Sequence, residues 1–329
     1  MSEKPIFLVT HPRACSTAFE RVFMTRDDIL ECVHEPFGDS FYYGPERLSE
    51  RYADDPAARE SSGFANTTYR DVLERLEKDG SKGKRVFIKD MAYYLMPPDG
   101  KPATIAPSLS GGGAAASTNG TNGDTARGGA EDGNPTVLPL AVLERFHWTF
   151  LIRHPRRGIP SYFRCCVPPL DAVTGFMRFL PSEAGYAELR RVFDYLRARG
   201  LASSAPGGAG GGDVTVVDAD DLLDRPAPAV AAFCARVGLP FRPDMLAWGD
   251  PAGQDRVAAA FAKWRGFHND AIQSTGLAAR PHAQAALTDE EEDEQWRQKF
   301  GDEAQKVIRA CVDENLPHYE YLKSFAMKF

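Results

Sequence analysis

Three residues within a span of five, Arg13, Ser16 and Thr17, follow an apolar run and lead into a helical pattern. A guanidinium with a planar donor fork, two hydroxyls and the unpaired N–H groups of a first helical turn are the parts of a cradle for a phosphate or sulfate. The same grammar recurs at Arg153, which ends a second apolar run, precedes a proline turn and is followed eight residues later by Ser161. A helix starting near Arg156 brings Ser161 back over the end of that run, so Arg153 and Ser161 can grip one phosphate together. Glu35, Lys89 and Asp90 also close short apolar runs, and in open α/β sheets the carboxyl ends of strands face the ligand crevice. Each has a plainer reading as well: a carboxylate at a strand end is often a turn or salt-bridge residue, and Lys89 with Asp90 can be an ion pair that caps a strand.

The elements that must position these groups follow from local pattern. Ile6 to Val9 is an apolar run of the length and composition of a buried parallel strand, broken by His11-Pro12. Ala18 to Phe23 then reads as a helix with Phe19, Val22 and Phe23 on one face. Ile29–Glu35, Arg85–Asp90, Trp148–Arg153 and Asp213–Asp218 supply four more strands. Residues 45–80 read as two helical pieces, the second with Val72, Leu73 and Leu76 on its apolar stripe, and the C-terminal helix is expected to turn Val307, Ile308 and Cys311 inward. Phe37 to Gly44 is aromatic and turn-rich, the composition of a pocket wall, and with Tyr93 and Tyr94 it suggests a small, partly apolar ligand. Cysteine at position 15 predicts that the loop avoids positive φ there. A place at a helix N-terminus beside Arg13 predicts a thiol of lowered pKa, open to alkylation.

Composition narrows the class. The 329 residues are 43% hydrophobic and 11% aromatic, enough for a substantial core, and the net charge of −7 argues against nucleic acid or an anionic membrane as partner. No apolar run approaches the length of a membrane span or a secretory h-region, which predicts a cytoplasmic protein. Six cysteines without a CxxC pair read as free thiols in a reducing compartment, with no metal site. A Gly/Ser/Ala-rich stretch at about 98–135 and a short Gly-rich loop at 205–212 are predicted to be mobile insertions within a single domain spanning residues 1–329. The sequence sets no oligomeric state.

The first loop is not a Walker A motif, for it lacks both glycines and the lysine. Pro12-Arg13-Ala14-Cys15-Ser16-Thr17 resembles the 5′-phosphosulfate loop of sulfotransferases that use 3′-phosphoadenosine 5′-phosphosulfate (PAPS), with Arg13 in place of the lysine of cytosolic types and Cys15 in place of glycine. Arg153-His154-Pro155 with Ser161 resembles the family's 3′-phosphate motif, and residues 220–241 resemble its acidic-Leu, Pro, helix, Gly-Leu-Pro-Phe passage. His34-Glu35-Pro36-Phe37 is similar to the segment of heparan-type enzymes whose glutamate removes the acceptor proton, and residues 261–276 are similar to the late segment that closes over the nucleotide.

The resemblance spans nearly the whole chain. It implies an α/β, three-layer, P-loop NTPase-like sulfotransferase fold around a parallel sheet of about five strands. PAPS would lie across the sheet's carboxyl edge, no metal would be required, and adenosine 3′,5′-bisphosphate (PAP) would be the product. By this resemblance Arg13, Ala14, Cys15, Ser16, Thr17 and Ala18 hold the phosphosulfate, Arg153 and Ser161 the 3′-phosphate, Trp264 or Phe267 stacks on the purine, and Arg265 reaches a phosphate. Glu35 is the base, and Arg13 and Lys89 stabilise charge at the reacting group. Met91 stands two residues after Lys89, where cytosolic enzymes carry a histidine, which raises the case for Glu35. Two other readings stay open: a non-catalytic nucleotide-binding protein of the same fold, and an ATP-dependent kinase whose Asp90 holds magnesium.

Overall fold

The structure is a computed structural model that describes residues 4–110, 129–202, 214–249, 251–281 and 287–329. Five parallel strands form one sheet: β1 (Ile6–Thr10), β2 (Leu30–His34), β3 (Arg85–Met91), β4 (His147–Ile152) and β5 (Val216–Asp218), in the order β2-β3-β1-β4-β5. Register is tight at the centre, with Thr10 opposite Met91 on one side and Leu151 on the other. The Thr10 hydroxyl donates to the Leu151 carbonyl at 2.7 Å and pins the ends of β1 and β4 together.

Side chains alternate across the sheet, as pleating requires, and each face packs its own core. Ile6, Leu8, Phe87 and Leu151 point to a layer that holds helix α1 (Ser16–Met24) and the helix Pro226–Val237, whose Val230, Phe233, Cys234 and Val237 are buried. Gly238, at φ 75°, ends that helix in the left-handed conformation expected of a C-terminal glycine. Phe7, Val9, Ile88 and Phe150 point to the opposite layer, which takes in α2 (Gly38–Tyr42), α4 (Tyr69–Gly80), α6 (Pro155–Cys165) and the C-terminal helix Asp302–Lys323. The short helices α3 (Pro56–Ser61) and α5 (Leu140–Leu143) lie in the connections. The α4 helix starts on a capping box between Thr68 and Asp71 and buries Val72, Leu73 and Leu76.

Three local expectations need correction. Phe37 to Tyr42 is not a turn-rich wall: Phe37 caps α2, and Phe37, Phe41 and Tyr42 are buried in the core behind Tyr93 and Tyr94. Helical spacing turns Ile308, Cys311 and Val312 inward together, which leaves Val307 44% exposed. Lys89 does not pair with Asp90 across the strand end. Alternation sends the two to opposite faces, and Asp90 instead accepts from the N–H groups of Phe37 at 2.8 Å and Met91 at 2.9 Å.

The flanks of the 98–135 stretch are packed, with Ala103, Ile105 and Ala106 buried and the Ala106 N–H donating to the Val137 carbonyl at 2.9 Å. Residues 111–128 and the whole of 205–212 lie outside the described residues. No helix among the described residues is long and apolar enough to cross a membrane.

Candidate active site

The chain leaves β1 at the sheet's centre, where neighbours on the two sides belong to different runs of the chain, and such a switch point is where open α/β sheets bind ligands. A cavity of about 410 Å³ lies there. Its walls include Arg13, Cys15, Ser16, Thr17 and Ala18 from the first loop, and Arg153 and Ser161 from the second. Ala14 is fully buried in the core beneath the loop. The two anchors interlock: Arg13 Nε donates to Ser161 Oγ at 2.9 Å, and Arg153 Nη1 donates to the Arg13 carbonyl at 3.0 Å. Ser161 thus meets Arg13, not Arg153. Burial leaves the Nε–H groups of Arg153 and Arg164, both cavity residues, without a partner among the described residues.

His11 sets the second anchor against the first. Its ring stacks on Tyr186 with centroids 3.8 Å apart, and its Nε2 accepts from the Arg153 N–H at 2.9 Å. Burial depresses this imidazole's pKa to about 3, so it serves as a neutral acceptor.

Cys15 takes φ 60° as the N-cap of α1, and Arg13 takes φ 61°. The expectation that cysteine would keep the loop out of positive φ is therefore overturned. The left-handed residue that turns the loop into α1 is required by the path of the chain, and cysteine adopts it at a cost of about 1–2 kcal/mol. The thiol expectation is also reversed: burial pushes the Cys15 pKa up, against the downward pull of Arg153 and Arg13.

Glu35 stands on the opposite wall at φ 46°, a third strained residue at the same mouth. One carboxylate oxygen accepts from Lys89 Nζ, and the other accepts from Tyr94 OH at 3.2 Å. Lys89 is fully buried and lies behind Glu35, outside the cavity wall. It fixes the carboxylate and balances its charge. Beside Glu35 the cavity is lined by Met91, Tyr93, Tyr94, Phe176 and Trp264. Trp264 packs among Tyr42, Tyr43 and Tyr94, which puts it at the aromatic half of the site; Arg265 is not among the lining residues. Asp90, the magnesium carboxylate of the kinase reading, is fully buried with each oxygen on a backbone N–H and is not among the residues that line the cavity.

The late segment is clamped over the loop. Arg13 donates to the Phe267 carbonyl, while Arg21 donates to the carbonyls of Ala271, Ile272 and Ser274, the last two at 3.1 and 3.0 Å. This brings in residues that sequence reasoning missed. His268 Nδ1 meets Thr17 Oγ1 at 2.8 Å, His268 Nε2 meets His34 Nε2 at 3.1 Å, and His34 Nδ1 meets Glu20 Oε2 at 2.7 Å. The available signals were slight: Glu20 lies one turn after Thr17 on α1, and His34 directly precedes Glu35. His34, Glu35 and His268 offer ligand atoms within 4.8 Å of one another. The Lys89 ammonium on Glu35 already supplies the positive charge that such a cluster would otherwise draw from an ion.

Comparison with known proteins accords with this geometry. Residues 207–298 match the family model described as Sulfotransferase domain. The chain is 24% identical over 337 residues to Sulfotransferase ppzF of Metarhizium majus (strain ARSEF 297), covering 97% of this chain and 95% of that protein.

Over nearly its whole length the chain is similar to a sulfotransferase.

A second relative, Sulfotransferase ppzF of Metarhizium rileyi (strain RCEF 4871), is 26% identical over 256 residues, covering 76% of this chain and 72% of that one. Among solved structures, the sulfotransferase domain from the curacin biosynthetic pathway has a TM-score of 0.43 at 13% identity, covering 91% of this chain and 98% of that chain. The sulfotransferase domain from the Synechococcus PCC 7002 olefin synthase has a TM-score of 0.39 at 16% identity, covering 91% and 95%. The family match takes in β5, the helix Pro226–Val237 and the late segment, and the turns that carry Arg13 and Arg153 lie upstream of the matched residues.

Proposed function

We propose that this chain is a sulfotransferase that moves the sulfuryl group of PAPS to a hydroxyl or amine of a small, partly apolar acceptor, with Glu35 as general base. The observation that carries the reading is the meeting of Arg13 and Arg153, 140 residues apart in sequence, at one cavity. The guanidinium groups of Arg13, Arg153 and Arg164 around that cavity suit a ligand with phosphate oxygens. PAPS supplies an electrophilic sulfur and a stable bisphosphate leaving group.

For an in-line transfer with a loose transition state, positioning and charge stabilisation do most of the work. Arg13, Ser16, Thr17 and the loop N–H groups hold negative charge near β1, and Arg153, Arg164 and Ser161 face the other phosphate. Met91, Tyr93, Phe176 and Trp264 exclude water from the acceptor's apolar body. Glu35, held by Lys89 and Tyr94, takes the proton from the attacking group. General-base catalysis contributes typically 10²–10⁴-fold.

The Glu35→Gln variant keeps an acceptor for Lys89 and is expected to lose about 100-fold or more in turnover while binding PAP as the parent does. Arg153→Ala is expected to weaken PAP binding by at least about tenfold, since a charge-assisted bond contributes roughly 1.5–3 kcal/mol. Full activity of the first variant removes Glu35 as the base. Unchanged PAP affinity of the second removes the phosphate role of Arg153, and PAP binding without transfer to any acceptor returns the non-catalytic reading.

A further inference from the structure

The chain of contacts from Thr17 to Glu20 has a direction. Two imidazoles that meet through Nε2 atoms 3.1 Å apart can share only one hydrogen between them. If Glu20 is ionised and both histidines are neutral, His34 Nδ1–H must donate to Glu20. His34 Nε2 is then the acceptor from His268 Nε2–H, and His268 Nδ1 accepts from the Thr17 hydroxyl. In that arrangement Thr17 presents only lone pairs to the cavity. Adding one proton at Glu20 reverses every bond: its carboxyl O–H donates to His34 Nδ1, His34 Nε2–H donates to His268, and His268 Nδ1–H donates to Thr17 Oγ1. Burial and the Lys89 charge keep His34 itself neutral, with Glu35 Oε1 3.6 Å from its Nε2. Only then is the Thr17 hydrogen free to point at an anion. The other tautomers set lone pair against lone pair at 2.7–3.1 Å among groups no more than 9% exposed.

We propose that Glu20, His34 and His268 are positioning residues for the Thr17 hydroxyl, and that an anion accepting from Thr17 binds together with one proton. The inference rests on the functional reading above for its ligand, a phosphosulfate or phosphate at the first loop. The other charged groups around the chain are already engaged. From β3, Lys89 is paired with Glu35, and Asp90 accepts two backbone N–H groups. From the late segment, Lys263 bonds to Asp39 at 2.6 Å and to the Glu35 carbonyl at 2.7 Å. Arg13 from the first loop is bonded to Ser161, and the Cys32 thiol on β2 faces Glu20 with a pKa that burial and the Glu20 charge push up. The proton therefore belongs to the chain itself. Burial pushes the Glu20 pKa up to about 8, which places the transition in an accessible range.

The test is calorimetric titration of PAP into the full-length protein between pH 7.5 and 9.5, in pairs of buffers with different ionisation enthalpies. The phosphates of PAP are already ionised in this range. The expected result is an uptake rising toward one proton per PAP, with affinity falling about tenfold per pH unit above pH 8. Glu20→Gln places an amide N–H on His34 Nδ1, locks the chain in the orientation that frees Thr17, and is expected to flatten that slope. If this variant does not fold, His268→Asn, whose amide can donate to Thr17 without taking up a proton, should flatten it equally. A wild-type affinity that is level across this range with no buffer-dependent heat overturns the proposal, as does a variant that keeps the parent's slope. Should PAP fail to bind, the functional reading falls, and inorganic sulfate, which does not titrate here, decides the relay by the same slope. Absence of binding by both overturns both.

Discussion

A cysteine in the left-handed region at the mouth of the cavity is a residue-scale conflict, and its resolution shows what the loop needs. Cys15 caps α1 at φ 60° without a side-chain hydrogen bond, so backbone shape is what the position demands. Glycine would relax the conformation but would enlarge the unfolded ensemble, and the two effects are of similar size. A β-branched side chain has no such compensation. Cys15→Val is therefore expected to cost about 1–2 kcal/mol in denaturant unfolding, and a variant as stable as the parent would show that the loop does not need this conformation. The raised pKa adds a chemical consequence: at pH 8, iodoacetamide should modify Cys15 more slowly than a free cysteine peptide, as read by mass spectrometry.

At the scale of elements, α1 does two jobs with two faces. Phe19 and Phe23 pack edge-on or tilted against Phe233 of the helix Pro226–Val237, with ring centroids 5.0 and 5.2 Å apart. Thr17, Glu20 and Arg21 meanwhile hold the relay and the late segment. Site geometry therefore depends on packing on the far side of the helix. Phe233→Ala is expected to cost about 3–5 kcal/mol, the range for a fully buried phenylalanine, and to weaken PAP binding as α1 shifts. Val307→Ala, on an exposed helical position, should stay within about 0.5 kcal/mol. Equal unfolding midpoints for the two variants would contradict this assignment of faces.

At the scale of the whole molecule, the sheet order brings distant turns to one edge, and their burial makes stability depend on pH. His11 is buried and neutral with its pKa depressed to about 3, whereas the unfolded chain binds a proton near 6.5. Between those values the unfolded state holds more protons, so the contribution of His11 is complete above pH 6.5 and is lost as pH falls. His11→Gln keeps an acceptor for the Arg153 N–H and removes the titration. The stability difference, wild type minus variant, should fall by about 1.4 kcal/mol per pH unit between pH 6 and pH 4. A constant difference across that range would mean that His11 is not held neutral.

The amino-acid pattern alone determined the strands, the turns that end β1 and β4 in Arg13 and Arg153, and the buried face of the helix before Gly238. Each of these is a short-range matter of alternation, helical period or turn chemistry. Boundaries moved by one residue at β2 and β4 and by three at the start of β5, because hydrogen-bonded pairing and not composition ends a strand. Tertiary structure decided that Ser161 meets Arg13, that Lys89 backs Glu35, that α2 is core, and that His268 reaches Thr17 across 251 residues of chain. Those pairings depend on which turns the sheet order sets side by side and on which polar groups burial leaves in need of partners. Neither is written in any local stretch of residues.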